Sequence, residues 1–307
     1  MSSTNESLAW SRIEIINSPP QARSGHSAVV YNGSMYIFGG LGEYRFNDLF
    51  KFDFESRTWT EIKPIDESKV PSKRCKHSAC IYQTMMYIFG GWDSSGKLND
   101  MYRYIFDRNE WEVVPCSNPP RARSAHSVAI YQNYMYLFGG IGDNKFNDMY
   151  RFSFKTNQWS VVNQRNPPPR RSSYGGAHIY NDRLYIVCGL GCGKFNDCHS
   201  FDFRTLEWTE LKYSDDSRVI PAKRGRHTCI LSEANLYMFG GYVGIQRSNE
   251  LFVLNLQTNQ WKQLKLESNV PAAREGHSAV LYNGYMWLFG GWHDNGWYND
   301  IYTLGPL

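Results

Sequence analysis

No apolar run in this 307-residue chain is long enough to cross a bilayer as a helix. Its first residues, Met1-Ser2-Ser3-Thr4-Asn5-Glu6, hold neither the basic nor the apolar block of a secretory signal. The two absences predict a chain without a membrane partner that works in the cytoplasm. Neither sign of charge is in excess: 33 Lys and Arg stand against 29 Asp and Glu, and a net charge of +4 excludes a general electrostatic attraction for nucleic acid. The seven cysteines (Cys75, Cys80, Cys116, Cys188, Cys192, Cys198 and Cys229) are odd in number and scattered, which argues against a disulfide framework and for free thiols in a reducing compartment. There is no linker, no low-complexity run and no stretch with a helical apolar period, so one all-β domain is expected over 1–307.

What the chain does have is repetition. Tyr36-Ile37-Phe38-Gly39-Gly40 is followed by Asn47-Asp48 and then Trp59, and the pattern recurs. The strand-and-diglycine copies end at Gly91, Gly140, Gly189 (with Cys188 in place of the first glycine), Gly241 and Gly291. The Asn-Asp copies are Asn99-Asp100, Asn147-Asp148, Asn196-Asp197, Asn249-Glu250 and Asn299-Asp300, and the tryptophans are Trp10, Trp59, Trp111, Trp159, Trp208 and Trp261. Within each copy the apolar period is about two residues, as in Ser27-Ala28-Val29-Val30-Tyr31, which favours strands. Asn32-Gly33 and Asn283-Gly284 supply the positive φ of a two-residue hairpin turn between strands a and b. Strand c follows the Asn-Asp pair and strand d carries the tryptophan, giving four antiparallel strands per copy.

A lone four-stranded sheet of this kind exposes apolar surface on both faces and buries it only by stacking around an axis until the ring closes. Six copies therefore predict a six-bladed β-propeller, with blades at about 17–63, 64–115, 116–163, 164–212, 213–265 and 266–307. Trp10 precedes the first strand a, and the last copy stops at Ile301-Tyr302-Thr303-Leu304 without a tryptophan strand. Residues 8–16 are therefore expected to complete the last blade and lock the ring. The diglycines read as backbone positions that exclude a Cβ.

A period of about 50 residues carrying a diglycine and a tryptophan is the kelch signature, and the chain resembles the kelch-repeat family over nearly its full length. Phrases such as Phe46-Asn47-Asp48-Leu49-Phe50-Lys51-Phe52 are similar to the kelch domains that precede BTB domains in adaptors of the leucine-zipper-like regulator type. That resemblance implies a noncatalytic scaffold that recognises a protein or peptide, as the substrate-binding module of a cullin-3 ubiquitin-ligase adaptor, with small GTPases of the Ras type among the partners it suggests. An actin-binding kelch protein and, less favoured, an enzyme at the channel mouth are the alternatives.

Strand polarity puts the d-a loops and the b-c loops on one face. The d-a loops are basic, through Lys69, Lys73, Lys76, Arg121, Arg123, Arg165, Arg170, Arg171, Arg218, Lys223, Arg224 and Arg226, and so favour an acidic partner. The residue after each diglycine is Leu41, Trp92, Ile141, Leu190, Tyr242 or Trp292; two residues on stand Glu43, Asp143 and Asp294 among others, and the last blade adds His293 and Trp297. Aromatic residues there serve either as partner anchors or as packing for a neighbouring loop. The second column lies two residues after the repeated arginine (Arg23, Arg74, Arg123, Arg224, Arg274) and holds Gly25, Lys76, Ala125, Tyr174, Arg226 and Gly276. In the BTB-kelch adaptors that the chain resembles, these two columns bind the partner. Carried over, they imply Lys76, Tyr174 and Arg226 from the second and Trp92, Tyr242 and Trp292 from the first, with Glu43, Asp143, His293 and Trp297 beside them. The arginine itself is expected to tie blades together.

Histidines recur in strand a at His26, His77, His126, His227 and His277. Equivalent positions on separate blades stand around a circumference instead of converging as ligands, so each is expected to satisfy backbone groups in its own blade. Cys188, Cys192, Cys198 and His199 cluster in the irregular fourth copy but lack a Cys-x-x-Cys pair, and neither metal nor cofactor is expected. Gly-x-Ser-x-Gly, phosphate-loop and His-Glu-x-x-His motifs are absent, so no catalytic residue is assigned.

Overall fold

Asn32-Gly33 turns the first hairpin with φ of 43° and 71°, joining Ser27–Tyr31 to Ser34–Leu41, and Asn283-Gly284 does the same at 49° and 74° in the last blade. The structure, a computed structural model, describes residues 8–172, 175–213 and 219–307. Arg45–Asp53 and Thr58–Ile62 complete blade 1 in the sheet order a-b-c-d. Strands a to d of blade 2 are Ser78–Tyr82, Met85–Trp92, Lys97–Ile105 and Glu110–Val113, and those of blade 3 are Ser127–Tyr131, Tyr134–Phe138, Met149–Ser153 and Gln158–Val161. Blade 4 holds His178–Tyr180, Arg183–Leu190, Lys194–Asp202 and Glu207–Glu210; blade 5 holds Thr228–Ser232, Asn235–Phe239, Leu251–Asn255 and Gln260–Leu264. Short strands at Arg224–Gly225, Tyr242–Val243 and Gln246–Arg247 extend the sheet of blade 4 into the loops of blade 5. Among the described residues the only helical turns are the 3-10 segments Glu67–Lys69 and Phe106–Arg108.

Blade 6 is Ser278–Tyr282, Tyr285–His293 and Gly296–Gly305, and its strand d is Ala9–Arg12, in register with Trp10 opposite Leu304. The ring thus closes as the tryptophan count requires. Packing shows the same closure, because each of the six apolar clusters spans one junction between neighbouring blades. At five junctions the tryptophan of one blade lies 4.9–5.0 Å, centroid to centroid, from the phenylalanine that precedes the diglycine of the blade before it: Trp10 on Phe239, Trp59 on Phe289, Trp111 on Phe38, Trp159 on Phe89 and Trp208 on Phe138. Blade 4 has Val187 there, and the junction with blade 5 packs Cys188, Cys198, Cys229 and Met238 instead.

The diglycine is a steric necessity. Gly40 has φ of 107°, and a Cβ on it would lie 2.9 Å from Cβ of His26. In blade 4 Cys188 keeps a positive φ of 55° at the first glycine's place. Gly175, at the place of the strand a histidine, is also crowded: a Cβ there would come within 2.4 Å of Nε2 of His227.

Two expectations are corrected. The repeated arginine does not reach across blades with its side chain: Arg74 is fully buried, grips Asp100 of its own blade at 2.7 and 2.8 Å, and donates to the Gly90 carbonyl at 3.1 Å. Its backbone makes the interblade link, since Gly40 N–H donates to the Arg74 carbonyl at 2.9 Å. The arginine of blade 4 is Arg171, paired with Asp197, so the chain from it to strand a is one residue longer than elsewhere. Four of the five strand a histidines bond neither their own blade nor backbone through Nε2 but meet a hydroxyl of the preceding blade, with His26 to Ser278 at 2.7 Å and His77 to Ser27, His126 to Ser78 and His277 to Thr228 at 2.8 Å. Blade 4 has Gly175 and Gly176 at the histidine and hydroxyl positions, which leaves Ser127 Oγ and His227 Nε2 buried without hydrogen-bond partners.

Candidate functional site

The mouth of the central channel is drawn tight by backbone. Gly25 N–H donates to the Gly276 carbonyl at 2.7 Å, Lys76 to Gly25 at 2.7 Å, Ala125 to Lys76 at 2.8 Å and Gly276 to Arg226 at 2.8 Å. This hydrogen-bonded collar requires the left-handed region at each member, and Lys76 and Arg226 adopt it at φ of 59° and 58°, where glycine would be free of strain. Placing a long cation there costs on the order of 1 kcal/mol. The collar explains the backbone of the column but does not itself call for a cation at Lys76 or Arg226. Tyr174, the remaining candidate of that column, lies outside the described residues.

Lys76, Arg226, Trp292 and Trp297 converge. With Leu41 and Glu275 they line a cavity of about 280 Å³ at the mouth. Glu275 is 2% exposed; its Oε1 accepts from Arg226 Nη1 at 2.9 Å and Arg247 Nη2 at 3.4 Å, and its Oε2 has no hydrogen-bond partner. Three cations, Lys76, Arg226 and Arg247, therefore surround one buried carboxylate. Burial and then the nearby Arg226 charge push the Lys76 pKa below its ordinary value, the response of an ammonium held among other cations in partial shelter from water.

The aromatic residues after the diglycines carry stacked cations. Lys97 lies 4.3 Å, Arg45 4.6 Å and Lys76 5.4 Å from the centre of Trp92. Lys194 stands 4.4 Å from Tyr242, and Arg247 is 5.3 Å from Tyr242 and 4.1 Å from Trp292. Apart from Lys76, these cations belong to a column that the sequence reading missed: Arg45, Lys97, Lys145, Lys194 and Arg247, with Trp297 in the sixth blade. Its signal was a basic residue two positions before the asparagine in most copies. The column also straps loops together, since Lys145 Nζ donates to the Gly191 carbonyl and Lys194 Nζ to that of Gly244 at 2.8 Å.

Other expected members fall outside this cluster. Glu43 and Asp143 are exposed on their own loops. His293 is half-buried at the end of strand b, next to Trp292, and Asp294 pairs with Arg247 at the rim. The basic d-a loops are also less charged than a count suggests. Arg123, Arg171 and Arg224 are fully buried against Asp148, Asp197 and Glu250 and offer nothing to a partner, whereas Lys73, Arg121, Arg170 and Lys223 are exposed. Arg218 lies outside the described residues.

In blade 4 the thiols do not gather as ligands. Cys188 and Cys198 are buried in the junction core, where burial drives the Cys188 thiol up to about 12, and Cys192 is exposed on a loop. His199 instead donates from Nε2 to Asp197 Oδ2 at 3.0 Å. Burial tends to raise the Asp197 pKa, but the Arg171 and His199 hydrogen bonds outweigh it and hold the carboxyl at about 2.

Comparison with known proteins agrees with the repeat. A family model described as the KLHDC2/KLHL20/DRC7 Kelch-repeats domain matches residues 2–189 and 191–306. A leucine-zipper-like transcriptional regulator 1 homolog from Drosophila melanogaster is 38% identical over 115 residues, covering 34% of this chain and 12% of that protein. Human Kelch domain-containing protein 10 is 32% identical over 109 residues, 34% of this chain and 25% of its own length. Human Host cell factor 2 is 33% identical over 115 residues, 31% of this chain and 14% of its own. The matched segment therefore spans a quarter or less of each of these relatives.

Proposed function

The chain belongs to the KLHDC2/KLHL20/DRC7 family of kelch-repeat domains, and from that premise we propose that it is a noncatalytic recognition module that holds a protein or peptide with acidic groups on its d-a and b-c loop face. A kelch propeller is in general a protein-binding scaffold: rigid strands hold loops whose side chains are free to vary. The observation that carries the acidic preference is the mouth cavity, where Lys76 and Arg226 outnumber Glu275 between Trp292 and Trp297. Desolvated cations beside indole rings reward a carboxylate that carries apolar surface with it, by charge-assisted hydrogen bonds to the cations and contact with the rings. Trp92, between Lys97, Arg45 and Lys76, extends the same chemistry along the rim.

The likeness to kelch domains of BTB-containing adaptors extends the proposal to substrate recognition for a cullin-3 ubiquitin ligase in the cytoplasm, with the propeller selecting the substrate. An affinity-capture experiment comparing wild type with a Trp92→Ala, Trp292→Ala, Arg226→Ala triple variant tests the face. Loss of a buried aromatic or arginine anchor costs about 2 kcal/mol or more, roughly 30-fold in affinity, so specific partners should drop out of the variant's set. Recovery of the same partners in the same amounts by a folded triple variant refutes the assigned face.

A further inference from the structure

The fourth blade departs from the repeat at a position that the binding face does not use. Residues two after the conserved acid on strand c are Phe50, Tyr102, Tyr150, Phe252 and Tyr302 in the other blades, and all these rings lie 4.9–5.6 Å from the blade's buried arginine. In blade 4 the residue is His199, 6% exposed. Because a strand alternates its side chains, Asp197 and His199 share a face and Cys198 points to the other, into the junction core. Strand d sets Glu210 directly opposite His199 in register. One ligand atom each from Asp197, His199 and Glu210 lies within 4.8 Å of the others.

We propose that Asp197, His199 and Glu210 bind a divalent transition-metal ion of the zinc class. One imidazole and two carboxylates are a borderline donor set that suits such an ion, with water filling the remaining positions. Arg171 supports the set from behind: its Nη1 and Nη2 donate to Oδ1 and Oδ2 of Asp197 at 2.6 and 2.8 Å, the outer hydrogen bonding that fixes a ligating carboxylate. Glu210 is exposed and leaves a path from solvent. On binding, the ion takes the place of the hydrogen bond between His199 Nε2 and Asp197 Oδ2: the Nε2 lone pair goes to the metal and the neutral ring carries its proton on Nδ1. No thiol takes part, since Cys188 and Cys198 are sealed in the core.

Calorimetric titration of the full chain with Zn²⁺ at pH 7 should show one saturable site. His199→Phe restores the residue type found in blades 1 and 5, so it should fold, and it should remove the site. Glu210→Gln, on the surface, should weaken binding at least about 10-fold, the effect known for loss of lesser metal contacts. Cobalt substitution should give a spectrum without a thiolate-to-metal band. Equal zinc binding by wild type and both variants, wild-type binding no stronger than that of His199→Phe, or a thiolate band that assigns the ion to cysteine would each overturn the proposal.

Discussion

Acidification from pH 7 to pH 5 should cost this propeller about 6 kcal/mol through three histidines alone. His77, His126 and His227 are sealed between blades, and burial first, then the charges of Arg74, Arg123 and Arg224, lower their pKa values from 6.5 to about 3. Between about pH 6.5 and pH 3 the unfolded chain binds protons at these positions and the folded chain does not. Stability therefore rises with pH across that window: the contribution is complete above 6.5 and is lost as the pH falls toward 3. With the unfolded value at 6.5 and the folded value near 3, each ring loses about 2 kcal/mol between pH 7 and pH 5. Domains are typically stable by about 5–15 kcal/mol, so 6 would bring the protein close to unfolding. Urea denaturation at pH 7, 6 and 5 reads the effect, and the slope of stability against pH should approach one proton per ring. His126→Asn should lower stability at pH 7, by removing the bond to Ser78, and should flatten the slope by about one proton. Stability independent of pH over this range, or imidazole signals that titrate near 6.5 in the folded protein, would refute the reasoning.

Ring closure predicts that deleting residues 1–16 removes Trp10, 1% exposed in the junction of blades 5 and 6, and leaves the Gly296–Gly305 strand as a bare edge. A loss of at least about 3–5 kcal/mol, or oligomers on size exclusion, is expected, and a truncated monomer with an unchanged melting temperature counts against closure. Trp59→Ala should cost about 3–5 kcal/mol because the ring is 3% exposed between Phe52 and Phe289, whereas Trp292→Ala, on the rim beneath Arg247, should change stability by less than about 1 kcal/mol. Equal melting temperatures for the two variants would show that the roles of core and rim tryptophans have been misassigned.

The ring itself was legible because it follows from counting: a diglycine with Trp59, Trp111, Trp159, Trp208 and Trp261 in order, and Trp10 set before the first copy. Local chemistry was equally plain where it is local, as at Asn32-Gly33, whose positive φ needs nothing beyond its own hairpin. The histidines were visible as a column, but their Ser and Thr partners stand about one repeat away and meet them only across a blade junction, so the sequence suggested backbone partners within the blade. Arg171 and Arg170 are indistinguishable as neighbours in a Pro-rich loop until the bond to Asp197 selects the first. The loop cations at Arg45, Lys97, Lys194 and Arg247 become a feature only when Trp92, Tyr242 and Trp292 are stacked against them. Glu210 joins Asp197 and His199 through strand register. Sequence alone determined the repeat, the number of blades and the strand at which the circle shuts, since each repeat must bury the same apolar faces. Tertiary structure decided which polar groups meet, because hydrogen bonds and ion pairs depend on ångström distances between segments that only the closed ring brings together.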